Sequence, residues 1–398
     1  MHTVVAHSCH PEGRAAVGEV RAAWAGHGKP APHLVFFHAS EGYDGAELME
    51  EMARAFPGVP LHGGTSCQGI MTHLGALPGS GKSLGMLALN DPDGAYGVGV
   101  APLAGDPRGA GSRAAQEALR QAGREGETPT MVWLTSAPGH EEEVLAGLED
   151  LFGPDVPVGG GSAADDAVAG RWRQFANGQV FDDAVVVAVL FAPGRIGFSF
   201  HSGYDPTAKR AVITSGEGRT IRALDGRPAA EVYNAWTGGA LADLQATGGS
   251  LLLRTTLQPL GRVAGRIGGI PYFQLSHPES MTADGALALF SRVESGQEVW
   301  LMQGSEESLV KRAGRVARSA VQSLPGRPVA VRGAMVIYCA GCMLTVRNRM
   351  ADVVESLRQG LGPDVPFLGA FTFGEQGCFV GGENRHGNLM ISLLVFAE

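Results

Sequence analysis

No stretch of this sequence approaches the roughly eighteen consecutive apolar residues that a membrane-spanning helix needs, so no such span is expected. Clusters of lysine and arginine are also missing. With 31 basic against 40 acidic residues the net charge is −9, which argues against an electrostatic footprint for nucleic acid. At the start of the chain no charged segment leads into an apolar one, so no signal peptide is read. Five cysteines are an odd number for a disulfide framework and fit a reducing compartment, so a cytoplasmic location is expected. No long linker or low-complexity segment interrupts the 398 residues, a length that suits two domains.

Glycine, by contrast, is abundant at 59 residues and is scattered through turns and strand ends. Much of it belongs to a repeat. The pentapeptide GPDVP occurs twice, at 153–157 and 362–366, and a worn third copy reads PGVP at 57–60. Aligned on the proline, the copies read Val59-Pro60-x-x-Gly63-Gly64, Val156-Pro157-x-x-Gly160-Gly161 and Val365-Pro366-x-x-Gly369-Ala370. An apolar strand-like run precedes each copy: HLVFFHAS, TMVWLTS and AMVIYCA. A helical stripe lies between: Leu48, Met49, Met52 and Phe56; Val144, Leu145, Leu148, Leu151 and Phe152; and Val346, Met350, Val353, Val354, Leu357 and Leu361. Another apolar run closes each unit: SLGMLALN, AVVVAVLF and GNLMISLLVF. Near-continuous apolar strands joined by helices predict largely buried mixed α/β sheets with flanking helices, built from three strand–helix–loop–strand repeats in two domains. The glycines past each Val-Pro allow close backbone approach, either to a neighbouring strand or to a ligand.

Between the repeats, Asn177-Gly178 predicts a hairpin turn. The stretch LDGRPAAEVYNAW turns from strand to helix with Pro228 at the helix start. The domain boundary is placed there, giving 1–225 with two repeats and 226–398 with one. Residues 250–304 read as strands with turns at Asp284-Gly285 and Ser295-Gly296, and a helix is predicted after Ser305.

The repeat tips carry unlike polar tails, TSCQG, SAADD and TFGEQG, which suits a ligand site assembled at strand ends. Thr65, Ser66, Cys67, Ser162, Thr372 and Glu375 are the candidate ligand-binding residues; each hydroxyl could equally satisfy backbone at a strand end. Asp165 and Asp166 read as solvated loop charges. Among twelve histidines, His73, just beyond the first tail, is the candidate metal or haem ligand, with Cys67 as a thiolate competitor. His62 lies in the loop of the first tail, and His33 and His38 bracket a core strand. HSCH at 7–10 is a further histidine-bearing stretch. Cys339 and Cys342, at the end of a strand and the start of a helix, are spaced as a thiol redox pair would be. GALPGSGKS is not a P-loop, because Ala76 replaces the first required glycine and the segment that follows reads as strand. No Gly-x-Ser-x-Gly elbow supports a hydrolase, and no enzyme activity is expected.

Four stretches carry a resemblance to the FIST family of bacterial sensory proteins, with its N-terminal and C-terminal domains: VPLHGGTSCQGI, NGQVFDDAVVVAVL, LDGRPAAEVY and PFLGAFTFGEQGCF. It spans roughly residues 30–398. The resemblance implies sensing of a small ligand inside the cell. Some stand-alone members of the family bind haem, respond to nitric oxide and work with a separate histidine kinase. On that footing haem b is the expected cofactor, nitric oxide the signal, a sensor histidine kinase the partner in trans, and a homodimer is allowed. A haem-free sensor of amino acids or other small polar metabolites is the alternative, and a thiol redox enzyme using Cys339 and Cys342 the second. The chain departs from the family pattern at Cys339-Ala340-Gly341-Cys342, where relatives tend to carry Cys-x-Gly-Arg, and at Cys67-Gln68, where many carry Ala-Gly.

Overall fold

A computed structural model of the chain describes residues 1–77, 81–193, 195–326, 330–379 and 381–398. Part of GALPGSGKS, residues 78–80, lies outside them; the strand that follows it is present, as expected.

Three copies of one larger unit make up most of the chain. The first runs β1 (His2–Ser8), α1 (Gly13–Ala25), β2 (Leu34–Ala39), α2 (Gly45–Ala55), β3 (Leu61–Thr65), a hairpin of β4 (Ile70–Thr72) and β5 (Gly75–Ala76), then β6 (Leu84–Asn90). The second runs β7 (Ala95–Pro102), α3 (Pro107–Ala122), β8 (Met131–Ser136), α4 (Glu141–Phe152), β9 (Val158–Ser162), a hairpin of β10 (Gln174–Ala176) and β11 (Gln179–Phe181), then β12 (Ala184–Phe191). The third begins with β13 (Ile196–His201) and is then interrupted. The interruption holds β14 (Asp205–Glu217), β15 (Thr220–Leu224), β16 (Arg227–Pro228), α5 (Ala229–Trp236), β17 (Gly249–Ser250), β18 (Leu260–Ile267), β19 (Ile270–Ser276), β20 (Pro278–Met281), β21 (Leu287–Leu289) and β22 (Glu298–Gln303). It resumes with α6 (Glu306–Gln322), β23 (Val331–Cys339), α7 (Ala340–Thr345), α8 (Met350–Leu361), β24 (Phe367–Thr372), a hairpin of β25 (Gly374–Cys378) and β26 (Asn384–Gly387), then β27 (Ile391–Ala397).

Each repeat therefore carries one strand and one helix more, at its start, than the sequence pattern predicts. The third is split by an inserted module with its own sheet, ordered β17-β20-β21-β15-β14-β22-β18-β19. Its core gathers Ile213, Ile221, Leu224, Tyr233, Leu287 and Leu301. Sheet membership crosses residue 225, since β13 pairs with β27.

The repeats trade hairpins in a closed cycle. Hairpin β10–β11 of the second extends the sheet of the first through β3, and hairpin β25–β26 of the third extends that of the second through β9. Hairpin β4–β5 of the first completes the third sheet through β24. Within each sheet the two inner strands that flank a helix run parallel, as in β2–β3, β8–β9 and β23–β24. The strands read as continuous apolar runs because both faces are covered. Phe36, Leu87, Trp133, Val186, Ile337 and Phe396 meet in a common core between the three sheets. Alternate residues such as Phe37, Val187 and Val336 pack outward under the helix pairs.

The glycines of the repeated motif serve packing. A Cβ at Gly64 would lie 2.6 Å from Thr135 Cγ2, and one at Gly161 2.8 Å from Thr372 Cγ2, so each glycine admits the neighbouring repeat. Asn177, at the predicted hairpin, adopts φ 46° and Gly178 φ 90°. Its Oδ1 accepts from Leu61 N at 3.0 Å and its Nδ2 donates to Val98 O at 2.8 Å. Replacing Asn177 by alanine forfeits both bonds and strains a left-handed turn. We expect a loss of about 2 kcal/mol, read as a lowered urea midpoint.

Candidate functional site

The three tips do converge, and they do so through backbone. The residue seven past each proline donates its amide to the carbonyl of the residue five past the proline of a neighbour. Cys67 N reaches Phe371 O at 2.9 Å, Ala164 N reaches Thr65 O at 3.0 Å, and Phe373 N reaches Ser162 O at 3.3 Å. This cyclic set closes the ring of repeats and occupies most of the polar tails.

The candidate hydroxyls are spent on it. Ser66 is fully buried; its Oγ accepts from Phe371 N at 2.8 Å and donates to Gly69 O. Thr65 Oγ1 accepts from Arg173 N at 2.9 Å. Ser162 Oγ donates to Glu141 Oε1 at 2.8 Å and accepts from Gln376 Nε2 at 3.2 Å. Cys67 is buried, and burial together with Asp166 pushes its thiol up to about 12, so it stays protonated. Glu375 is fully buried, accepting from Thr372 Oγ1 at 3.0 Å and Met390 N at 3.0 Å; burial pushes its carboxyl well above the usual range. The expectation for Asp165 needs correction. It is not a solvated charge but completely buried, and its carboxylate accepts from the amides of Ala167, Ala169 and Arg171 at 3.0, 2.8 and 2.8 Å. Asp166 accepts from Gln68 N and so bridges the first two tails.

Beside this ring lies a cavity of about 210 Å³. Thr372 and Phe373 line it from the third tip, Ala167 and Val168 from the second tail, and Cys339, Ala340, Gly341 and Leu344 from the β23–α7 junction. The inserted module supplies Leu252, Leu253, His277 and Phe290, and the turn before β27 supplies Asn388. No charged residue is among these. His277 is buried and burial lowers its pKa to about 4, so the ring is neutral near pH 7. Asn388 is 2% exposed; its Oδ1 accepts from His277 N at 3.3 Å, while its Nδ2 has no partner among the described residues. An apolar chamber with one unpaired buried donor suits a small neutral ligand that carries an acceptor oxygen. Of the six candidate residues only Thr372 reaches this wall. Asn388 and His277 carried no sequence signal, because each gains its meaning from a fold-distant partner.

A second cavity, about 410 Å³ and polar, separates α4 from the inserted module. Arg262 projects there, its guanidinium donating to Arg292 O, Gln297 Oε1, Ser276 Oγ and Ser291 Oγ but, among the described residues, to no carboxylate. Burial lowers its pKa to about 10.

The histidine expected to hold haem does not sit in such a space. The His73 ring packs edge-on to Phe367 at 6.5 Å between centroids, its amide bonds Phe367 O, and it lines none of these cavities. Neither cavity described above would place a porphyrin beside His73. His62 is a core residue of β3 against Phe36, and burial lowers its pKa to about 3. His38, also buried, has its Nδ1 3.2 Å from Gly64 O. Among the described residues no group of three or more His, Cys, Asp or Glu is arranged to hold a metal ion, and no helix is long and apolar enough to cross a membrane.

The FIST N domain matches residues 33–227 and the FIST C domain residues 229–378. An uncharacterized protein of Methanocaldococcus jannaschii, MJ1623, is 34% identical over 95 residues, covering 23% of this chain and 18% of that protein. The chain thus spans less than a fifth of that relative. Among solved structures, a cyanuric acid hydrolase from A. caulinodans aligns over 100% of this chain and 99% of its own, at 11% identity and a TM-score of 0.35. PurLQS from Thermotoga maritima aligns over 77% of this chain and 72% of its own, at 9% identity and a TM-score of 0.23. With both of its domains matched in order along the chain, this protein belongs to the FIST family, whose domains are associated with the sensing of small ligands in signalling.

Proposed function

We propose that this protein is a sensor whose signal is a small, neutral, largely apolar molecule bearing an acceptor oxygen, bound in the 210 Å³ cavity beside the ring of repeat tips. The observation that carries the reading is a largely apolar wall to which Asn388 belongs, its buried Nδ2 without a partner among the described residues. A ligand oxygen there replaces a missing hydrogen bond, a gain of about 1–3 kcal/mol for the group left unsatisfied. A fully ionised ligand is disfavoured, because the cavity offers no counter-charge. The wall joins the third repeat to the inserted module, so occupancy favours one arrangement of the two over others. The partner that reads the difference is proposed to be a sensor histidine kinase in trans. A thermal-shift screen of small ketones, amides and lactones tests the reading. A hit should raise the melting temperature of the wild type, and Asn388→Leu should lose at least about tenfold in affinity, since a 1.4 kcal/mol bond is worth that factor. An equal affinity for Asn388→Leu would place the ligand elsewhere.

The polar cavity favours a second reading, a sensor of amino acids or similar metabolites. Arg262 is a guanidinium without a carboxylate partner, and Glu142, Glu149 and Glu294 share the cavity with it. A zwitterion would find both signs of charge there. Calorimetry with amino acids on the wild type and on Arg262→Met separates the two sites. Haemin titration, followed by its visible spectrum with and without His73→Ala, tests the remaining cofactor expectation.

A further inference from the structure

Behind the apolar cavity lies a cluster of buried groups that ligand binding does not require. Cys339 ends β23, lines the cavity and is 5% exposed; Cys342, three residues on in α7, is fully buried. Arg312 of α6, also fully buried, lies close enough for its charge to act on both thiols. Its Nη1 donates to Leu389 O at 2.6 Å, while Nε and Nη2 have no hydrogen-bond partner among the described residues. The guanidinium lies 5.1 Å from the Tyr338 ring centre and 5.8 Å from that of Tyr204. Tyr204 Oη, which donates to Thr256 O at 2.8 Å, is 3.5 Å from Cys342 Sγ.

A guanidinium does not lose its proton in a protein, and a buried cation needs an anion. Two groups could supply one, Glu375 and Cys342. Glu375 is held by Thr372 and Met390, and burial pushes its carboxyl well above the usual range, which disfavours its charge. Burial also pushes Cys342 up, but the neighbouring Cys339 thiol and the Arg312 charge bring it down to about 6. Cys339 is displaced the other way, by burial and by donating to Cys342. The two sulfurs therefore share one proton and one negative charge near pH 7.

We propose that Cys339 and Cys342 are a peroxide-oxidisable thiol pair in the wall of the cavity, and that forming their disulfide leaves Arg312 without its anion and resets that wall. Hydrogen peroxide small enough to enter the cavity meets Cys339. Once the shared proton moves to Cys342, the Cys339 thiolate attacks one peroxide oxygen; the O–O bond breaks, giving a sulfenic acid and hydroxide. The Cys342 thiol then attacks the sulfenic sulfur, an S–S bond forms, and the hydroxyl leaves with the thiol proton as water. One thiolate, one thiol and one peroxide thus yield a disulfide, water and hydroxide, with two electrons passed from sulfur to oxygen. A dithiol reductant returns those electrons. Ala340, Gly341 and Leu344 share the segment that must adjust, and all three line the cavity. The cavity enters this proposal only as the route of access.

The test uses the full chain in a Cys9→Ser background, which removes the exposed thiol. After hydrogen peroxide, peptide mapping should find Cys339 linked to Cys342, with Cys67 and Cys378 still thiols and the link reversed by dithiothreitol. The wild-type rate should level off above about pH 7 rather than climb through about pH 9, because the pair already carries its one negative charge. In Arg312→Met the neutral-pH rate should drop by about tenfold and the plateau move upward. Backbone hydrogen exchange across 340–345 should rise on oxidation. Peroxide that leaves the native pair reduced overturns the proposal, as does a wild-type rate that climbs to pH 9 as an ordinary thiol's does. Unchanged exchange at 340–345 overturns the coupling to the wall. None of these readings uses a ligand, so their failure is distinct from failure of the sensor reading.

Discussion

Replacing Arg219 by methionine is expected to destabilise the protein by about 3–5 kcal/mol, the range for leaving a buried charge without its partner. Arg219 stands at the turn between β14 and β15, and its Nη2 donates at 2.6 Å to Glu141 and at 2.6 Å to Glu142, the first two residues of α4. The inserted module and the second repeat are thereby joined through a carboxylate that is 3% exposed. This is not an exposed pair of the kind worth little. Glu141 also accepts from Ser162 Oγ, so the pair is wired to the ring of tips. A urea titration measures the effect, and a midpoint shift worth under about 1 kcal/mol would show that the pair behaves as a surface bridge.

The same group sets an acid limit. Burial alone would raise the Glu141 carboxyl, but His386, Arg219 and the Ser162 hydroxyl bring it from its ordinary 4.5 down to about 2. A carboxylate depressed in the folded state contributes stability that is complete above its unfolded value and is lost as pH falls through its folded value. The window here is pH 4.5 to about 2, and the contribution on the order of 3 kcal/mol. In Arg219→Met the acid transition should begin at higher pH, since His386 and Ser162 remain but the guanidinium does not.

How far the sequence reaches into this structure depends on which physical signal each part leaves. Two-sided burial writes itself into continuous runs such as AVVVAVLF, and one-sided burial into stripes such as Val353, Val354 and Leu357, so the inner strands and the second helix of each repeat are legible. Chain geometry made Asn177-Gly178 and Asp225-Gly226 legible, both with positive φ at the two central residues. The leading helix of the second repeat was not, because its buried face is Ala110, Gly111, Ala114, Ala115 and Ala118, too small to stand out as a stripe. Nor was the exchange of hairpins, since β4, β10 and β25 carry no mark of which sheet they join. At the site, a serine or threonine at a strand end looks the same whether it faces a ligand or an amide. Ser66 and Ser162 turned out to face protein, and Thr372 to do so while also lining the cavity. Asn388 gained its role from Leu275, His277 and the inserted module, more than a hundred residues away in the chain.

Asp165→Ala should remove the candidate site while leaving the ring of repeats closed. The carboxylate gathers three amides of residues 167–171 and holds Val168 at φ 55°, in the left-handed region that a branched residue rarely adopts. Ala167 and Val168 are cavity wall, so the loop's shape is the cavity's shape on that side. Each amide bond to a charged acceptor is worth about 1.5–3 kcal/mol, but the sum is not reached because a released loop finds water. A loss of about 3 kcal/mol is expected, with hydrogen exchange rising at 166–171. The ring bonds of Cys67, Ala164 and Phe373 do not involve the Asp165 side chain, so exchange at those three amides should stay slow. Asp165→Asn keeps Oδ1 for Ala167 but offers an amide nitrogen where Ala169 and Arg171 donate, and should fall nearly as far. Any ligand found for the cavity should bind both variants at least about tenfold more weakly, the equivalent of 1.4 kcal/mol. Undiminished binding would mean that the second tail is not part of the site, and that the ligand is held by the third tip and the inserted module alone.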